Sequence, residues 1–291
     1  MRQWLKDIAS WQIGKTLYLS VVFSWDVARA VKMAKEHKGK VVAGGPAAML
    51  NREAFDGVAE VRDACEEVEP ILFHNPLASY SSRGCPNKCP FCAVPKIEGA
   101  LREVPSFRPA PMMCDNNFLA TSWKHQKRVV DKLTRFPLVD FNQGLDARLF
   151  CRERADNLGR LKLHARFAFD SLHQEARVAD AITLCRKVTT KKISVYVLIG
   201  FQDSPETAQY RLEMVRDWGC APNPMRYQPL DAVTRNCHVA DGWTDRQLKD
   251  MCRFYSNMRY FRKVPFSEYQ DRAAYEDSKR GQARLDLGPP R

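Results

Sequence analysis

The 291-residue sequence has no run approaching the roughly 18 to 20 consecutive apolar residues of a membrane span, and its Met-Arg-Gln-Trp-Leu-Lys opening leads into no apolar signal core. Both absences point to a cytosolic protein without a membrane partner. No internal repeat or low-complexity block is present, which excludes repeat architectures. There is also no block of charge of one sign. The net charge of +12, from 46 Lys and Arg against 34 Asp and Glu, is spread along the chain, with its largest share, 23 basic against 16 acidic residues, over 85–231. A diffuse positive field admits nucleic acid, a phosphorylated substrate or an acidic partner, and equally a merely soluble basic surface. What the sequence does have is ten cysteines. A chain of this length needs no disulfide staples, and three of the ten fall within Cys85–Cys92, which points to metal in a reducing compartment.

The first part of the chain reads as a βαβ pattern: a strand over Thr16–Phe23, a helix over Trp25–His37 and a short strand over Lys40–Ala43 that ends in Gly44-Gly45-Pro46. That glycine pair lacks the third glycine and the downstream acid of a dinucleotide fingerprint, so an ordinary tight turn is expected. From residue 78 the rhythm changes to strand–helix units of about 25 to 35 residues. Strands are expected over Ala78–Ser82, Ala110–Cys114, Leu138–Phe141, Ala165–Phe169, Ile193–Ile199 and Met225–Gln228. Two helices carry start signals: one at Ser122, burying Val129, Val130 and Leu133, and one at Ser204-Pro205-Glu206, with Ala208, Leu212 and Val215 on one face until Gly219. Parallel units of this kind bind ligands at the carboxyl ends of their strands.

The strongest local signal is Ser82-Arg83-Gly84-Cys85-Pro86-Asn87-Lys88-Cys89-Pro90-Phe91-Cys92. Three thiols spaced by three and then two residues on one loop can wrap the corner of an iron–sulfur cluster, since thiolates are the soft ligands such clusters take. Three ligands leave one iron open. The competing reading is a structural zinc or iron–sulfur module without catalysis. Zinc would want a fourth Cys or His, and no second Cys-x-x-Cys exists here.

The spacing of Cys85, Cys89 and Cys92, with aromatic Phe91 before the last cysteine, resembles the motif of the radical S-adenosylmethionine (radical SAM) superfamily. The resemblance implies a 4Fe–4S cluster held by these three cysteines, with S-adenosylmethionine chelating the open iron and cleaved reductively to a 5′-deoxyadenosyl radical. It also implies an external one-electron reductant of the flavodoxin or ferredoxin kind. The implied fold is α/β: a partial, TIM-like (βα)6 barrel. Cofactor-binding groups are then expected at strand ends: Phe91 on the cysteine loop; Asp115, Asn116 and Asn117 after the second strand; Gln143 and Arg148, with Asn142 and Asp146, after the third. Asp170 and Ser171 follow the fourth, and Ile199 and Gly200 end the fifth as adenine-contacting backbone. For each polar group the alternative is a helix cap or a loop hydrogen bond.

Arg83-Gly84-Cys85, Val94-Pro95 and Gly99 resemble the branch that contains the methylthiotransferases and the enzymes with an amino-terminal cobalamin domain. Residues 1–77 resemble the back half of such a Rossmann-like domain. The Asp-x-His-x-x-Gly loop that would supply a lower imidazole ligand is absent, so a shortened segment without cobalamin is expected. The division that results is a remnant over 1–77, the barrel over 78–231, and over 232–291 a helical extension, a candidate cover for the barrel mouth, with a loose tail. The substrate is open. RNA is one class, suggested by aromatic and basic residues interleaved over Arg253–Lys263, although an amphipathic helix whose rings face the barrel explains the same pattern. Cys114 and Cys185 read as core packing. Cys220, Cys237 and Cys252 leave open an auxiliary cluster, although their wide separation does not resemble a ligand run and unrelated cysteines explain it equally.

Overall fold

The computed structural model describes residues 4–63, 68–257 and 264–270. Cys65, residues 258–263 of the aromatic–basic stretch, and the expected loose tail lie outside the described residues.

The chain opens with a hairpin of β1 (Ala9–Ile13) and β2 (Thr16–Ser20), antiparallel in register from Ala9 opposite Ser20 to Ile13 opposite Thr16. Helix α1 (Val27–Glu36) returns the chain to β3 (Val41–Gly44), parallel to β2. Helix α2 (Pro46–Leu50) then leads to β4 (Glu60–Val61), parallel to β3. Leu19, Val21, Ala30, Ala43 and Phe55 close a core of their own between this sheet and its helices. The βαβ pattern of the sequence is therefore present. It gains an antiparallel edge strand, β1, that the sequence reading passed over, because only Ala9 is buried among its five residues and the apolar alternation is weak.

After α3 (Ile71–His74), the chain forms β5 (Ala78–Ser79), β6 (Ser82–Arg83), α4 (Val94–Ile97), β7 (Arg102–Glu103) and β8 (Met112–Met113). There follow α5 (Trp123–Leu133), β9 (Val139–Phe141), α6 (Arg152–Leu158), β10 (Leu163–His164), β11 (Arg166–Ala168), α7 (Glu175–Arg186), β12 (Ser194–Ile199), α8 (Pro205–Asp217), β13 (Ala221–Arg226) and α9 (Asp245–Tyr255). Strands β5, β8, β9 and β10 pair in parallel, as do β11, β12 and β13. Only Ala165 separates β10 from β11, and its carbonyl accepts from Ser194 N at 3.0 Å. One stretch of chain thus pairs with β9 on one side and β12 on the other, giving six parallel strand positions in chain order.

One face of these strands is apolar and packs on the helices. Val139, Phe141, Leu163, Phe167, Val195, Val197 and Ile199 share a core with Val129, Val130 and Leu133 of α5, Val178 and Ile182 of α7, and Leu212 and Val215 of α8. Burial of this kind contributes about 1.5–3 kcal/mol per large side chain. The opposite face is polar. Arg166 holds buried Asp140 through two bonds of 2.7 Å and donates to the Tyr196 hydroxyl at 3.1 Å, which in turn donates to Asn142 O at 2.8 Å. At the first strands that face is covered by Trp4 and Ile71 packed on Ala78, Met112 and Cys114.

Two expected strands need correction. The first divides: β5 joins the parallel sheet, whereas β6 leaves it to pair antiparallel with β7. The sixth runs over Ala221–Arg226 rather than Met225–Gln228. Pro222 and Pro224 argued against a strand there, but β13 is an edge strand, where a missing N–H on the open side is tolerated. The caps hold as expected: Ser122 accepts from His125 N and Ser204 from Thr207 N, each at 3.2 Å.

Candidate functional site

The cysteine loop leaves β6 under constraint. Gly84 has φ +76°, and a Cβ there would stand 2.2 Å from Ala100 O, so only glycine fits without moving the backbone. Glu98 clamps the turn by accepting from Gly84 N at 2.8 Å and pairing with Arg83. Cys85 N donates to Gly99 O at 3.2 Å, and Cys92 N to Cys89 O at 3.1 Å. Helix α2 of the amino-terminal segment packs against α4, which follows the loop directly.

Cys85, Cys89 and Cys92 are free thiols, partly buried, and all three line one cavity of about 540 Å³ at the carboxyl ends of the strands. Its wall also contains Phe91, Asn116, Asn117, Gln143, Asp146, Arg148, Asp170 and Ser171, so eleven of the fifteen expected site residues meet here. The other four lie elsewhere. Asn142 is outside the lining, its carbonyl accepting from the Tyr196 hydroxyl at 2.8 Å. Asp115 is buried beneath the loop, where one carboxylate oxygen accepts from Ser81 N (3.0 Å), Ser81 Oγ (2.8 Å) and Ser82 Oγ (2.6 Å). Burial pushes its carboxyl up, against the pull of those hydroxyls. Ile199 is fully buried in the helix-facing core. Gly200, at φ +74°, leaves room for Leu248 of α9, whose Cδ2 would be 2.7 Å from an added Cβ.

Asp146, at the end of the third strand position, organises the site. Its Oδ2 accepts from Asn87 Nδ2 on the cysteine loop (3.1 Å), from Asn117 Nδ2 (3.0 Å) and from Arg148 Nη2 (2.7 Å). Burial opposes its ionisation, but Arg148 and the two amides outweigh that and hold the carboxyl below its ordinary range. Asn117 Nδ2 also lies 3.7 Å from Cys85 Sγ, and Asn87 N donates to the same sulfur at 3.4 Å. Burial pushes the Cys89 and Cys92 thiols up; the Arg148 charge opposes this at Cys89, and a backbone N–H of Val94 does so at Cys92.

A second buried ion pair supports the far wall. Arg211, on α8, is 1% exposed; it donates to Phe169 O (2.8 Å) and Leu198 O (2.9 Å) and pairs with Asp203. Asp203 also accepts from Gly200 N and Phe201 N at 3.0 and 3.2 Å. Phe201 meets Phe91 edge to face, with centroids 5.6 Å apart, and stands 4.7 Å from Tyr227. The sequence reading missed Asn87, Asp203 and Arg211. Asn87 lies inside the cysteine motif and was open to notice, whereas an arginine on an amphipathic helix carries no local sign of burial.

Donor chemistry fits a cluster. Three thiols line one cavity, and two N–H groups point at Cys85 Sγ, as outer-shell donors do toward the sulfur ligands of a cluster. Among the described residues no three His, Cys, Asp or Glu side chains are arranged around a point that would hold a single metal ion. Of the other described cysteines, Cys185 and Cys220 are near enough to each other to interact. Burial pushes Cys114 and Cys185 to about 12. Cys220 lies beside Arg186, Cys237 is exposed, and Cys252 is near Arg226. Phe254 and Tyr255, two rings of the aromatic–basic stretch, are buried in the core. No described helix is long and apolar enough to cross a membrane.

The sequence matches no protein-family model and no curated protein. Among solved structures, the fold is similar to that of the radical S-adenosylmethionine methyltransferase TsrM from Kitasatospora setae, solved with cobalamin and a 4Fe–4S cluster bound. The TM-score is 0.52 at 13% identity, over 77% of this chain and 67% of that one. At that identity the likeness is one of fold. Because the TsrM structure holds cobalamin, the comparison lends nothing to the expectation of a chain without it.

Proposed function

We propose that the chain is a radical SAM enzyme, with its six parallel strand positions curving as a partial barrel over about 78–231, behind a Rossmann-like segment and ahead of a helical extension. The observation that carries this reading is the meeting of Cys85, Cys89 and Cys92 in one cavity at the strand carboxyl ends, in a fold similar to that of a radical SAM enzyme. Cys85, Cys89 and Cys92 would hold a 4Fe–4S cluster. When bound and reduced by an external one-electron donor, that group supplies the electron that cleaves S-adenosylmethionine to the 5′-deoxyadenosyl radical.

The chain's own groups bind and orient. Asn87 and Asn117 tie the cysteine loop to Asp146, and Arg148 fixes that carboxylate. Asn116 and Gln143 line the cavity and have no hydrogen-bond partner among the described residues, so they are free to meet the polar groups of S-adenosylmethionine. Phe91 and Phe201 supply an aromatic wall. The test is formation of 5′-deoxyadenosine by anaerobically reconstituted protein under strong reductant. Wild type should form it, and the Cys85→Ala, Cys89→Ala and Cys92→Ala variants should not; undiminished formation by any of the three would overturn the reading.

A further inference from the structure

The charges of the cavity wall do not all cancel internally. Arg148 is bonded to Asp146 and Arg211 to Asp203. Asp170 accepts from Leu198 N at 3.1 Å and feels the charges of both Arg211 and Arg148. Arg177 remains. It lies in the first turns of α7, is exposed, lines the cavity, and has no ion pair, hydrogen bond or ring contact among the described residues. His173, three residues before α7's second position, is an exposed and unpartnered lining group too. The same lining also holds the apolar residues Leu172, Val178, Ala168 and Leu198.

A guanidinium without a counter-ion among the described residues, lining a cavity together with an imidazole near it in sequence and with apolar side chains, matches a ligand that brings its own anion and an apolar body. Resting on the function proposed above, we infer that Arg177, assisted by His173, binds a carboxylate or phosphate group of the substrate, and so selects anionic substrates.

Calorimetric titration of reconstituted, S-adenosylmethionine-saturated protein with pyrophosphate in one arm and succinate in the other tests this. Wild type should bind at least one of the two, and the arm that binds identifies the anion. Arg177→Gln should bind it at least about tenfold more weakly, and Arg177→Lys, which keeps the charge but not the fork, should fall between. Lys191→Gln, which removes an exposed cation between α7 and β12 at the amino end of the strands, should bind as wild type does. Thermal melting should be unchanged in Arg177→Gln, because the residue is exposed and unpartnered. The inference is overturned if wild type binds neither anion, if Arg177→Gln binds equally well, if Lys191→Gln loses as much, or if Arg177→Gln instead loses affinity for S-adenosylmethionine. Failure of the underlying reading is a separate result: wild-type protein that forms no 5′-deoxyadenosine.

Discussion

Asn117 donates its side-chain amide to Asp146 at 3.0 Å, and the same nitrogen lies 3.7 Å from Cys85 Sγ. The ends of two strand positions and the cysteine loop therefore meet at one amide. Replacing Asp146 with Ala strands the buried Asn117 amide and the Asn87 amide, at about 1–3 kcal/mol. The Arg148 pair adds little, since the Arg148 side chain is half exposed. Melting should fall by several degrees, and iron bound after reconstitution should fall further than in Asp146→Asn, which keeps an acceptor oxygen.

Gly84→Ala should separate loop geometry from fold. The added methyl meets Ala100 O at 2.2 Å in a left-handed backbone region. Secondary structure by circular dichroism should persist, while iron incorporation drops severalfold; full incorporation would show that the loop does not depend on this turn.

Arg211→Met should be among the most damaging single changes away from the cysteines. It leaves the carbonyls of Phe169 and Leu198 and the Asp203 carboxylate without their partner, a loss of about 3–5 kcal/mol. Arg211→Lys should recover little of it, because one ammonium cannot replace the planar fork. Chemical denaturation of the two variants checks both statements.

Three histidines are held neutral by burial: His74 against Ser20, His125 against Ser81 and His164 against Ser194. Their folded pKa values are depressed, so the unfolded chain binds more protons as the pH falls. The stability they contribute is complete above the ordinary imidazole value of about 6.5 and is lost progressively as the pH drops below it toward their folded values. The denaturation midpoint should therefore decline from pH 7.5 to 5.5, and His74→Gln should flatten that decline. An unchanged slope would remove His74 from the account.

How much of this was legible in the sequence depends on range. The cysteine loop, the caps at Ser122 and Ser204 and the long strand β12 are local patterns, and each could be read directly. The β13 boundary was hidden because Pro222 and Pro224 are acceptable only on an edge, and edge status is a property of the sheet. Asp146 could be placed at a strand end, but its bond to Asn87 spans 59 positions, and no local periodicity reports such a contact. The surroundings of Asp115 were equally hidden. It follows a strand, as a candidate cofactor ligand would, but one carboxylate oxygen accepts from Ser81 and Ser82, 34 and 33 positions away, while the other has no hydrogen-bond partner among the described residues.

The central claim, that three thiols of this chain hold a cluster with one iron open to S-adenosylmethionine, is tested most directly by paramagnetic resonance of the reconstituted, reduced protein with and without S-adenosylmethionine. The account predicts a reduced-cluster signal at about four irons per chain, whose g-values and line shape change when S-adenosylmethionine is added. A signal that S-adenosylmethionine leaves unaltered, or no cluster signal at all, would contradict it.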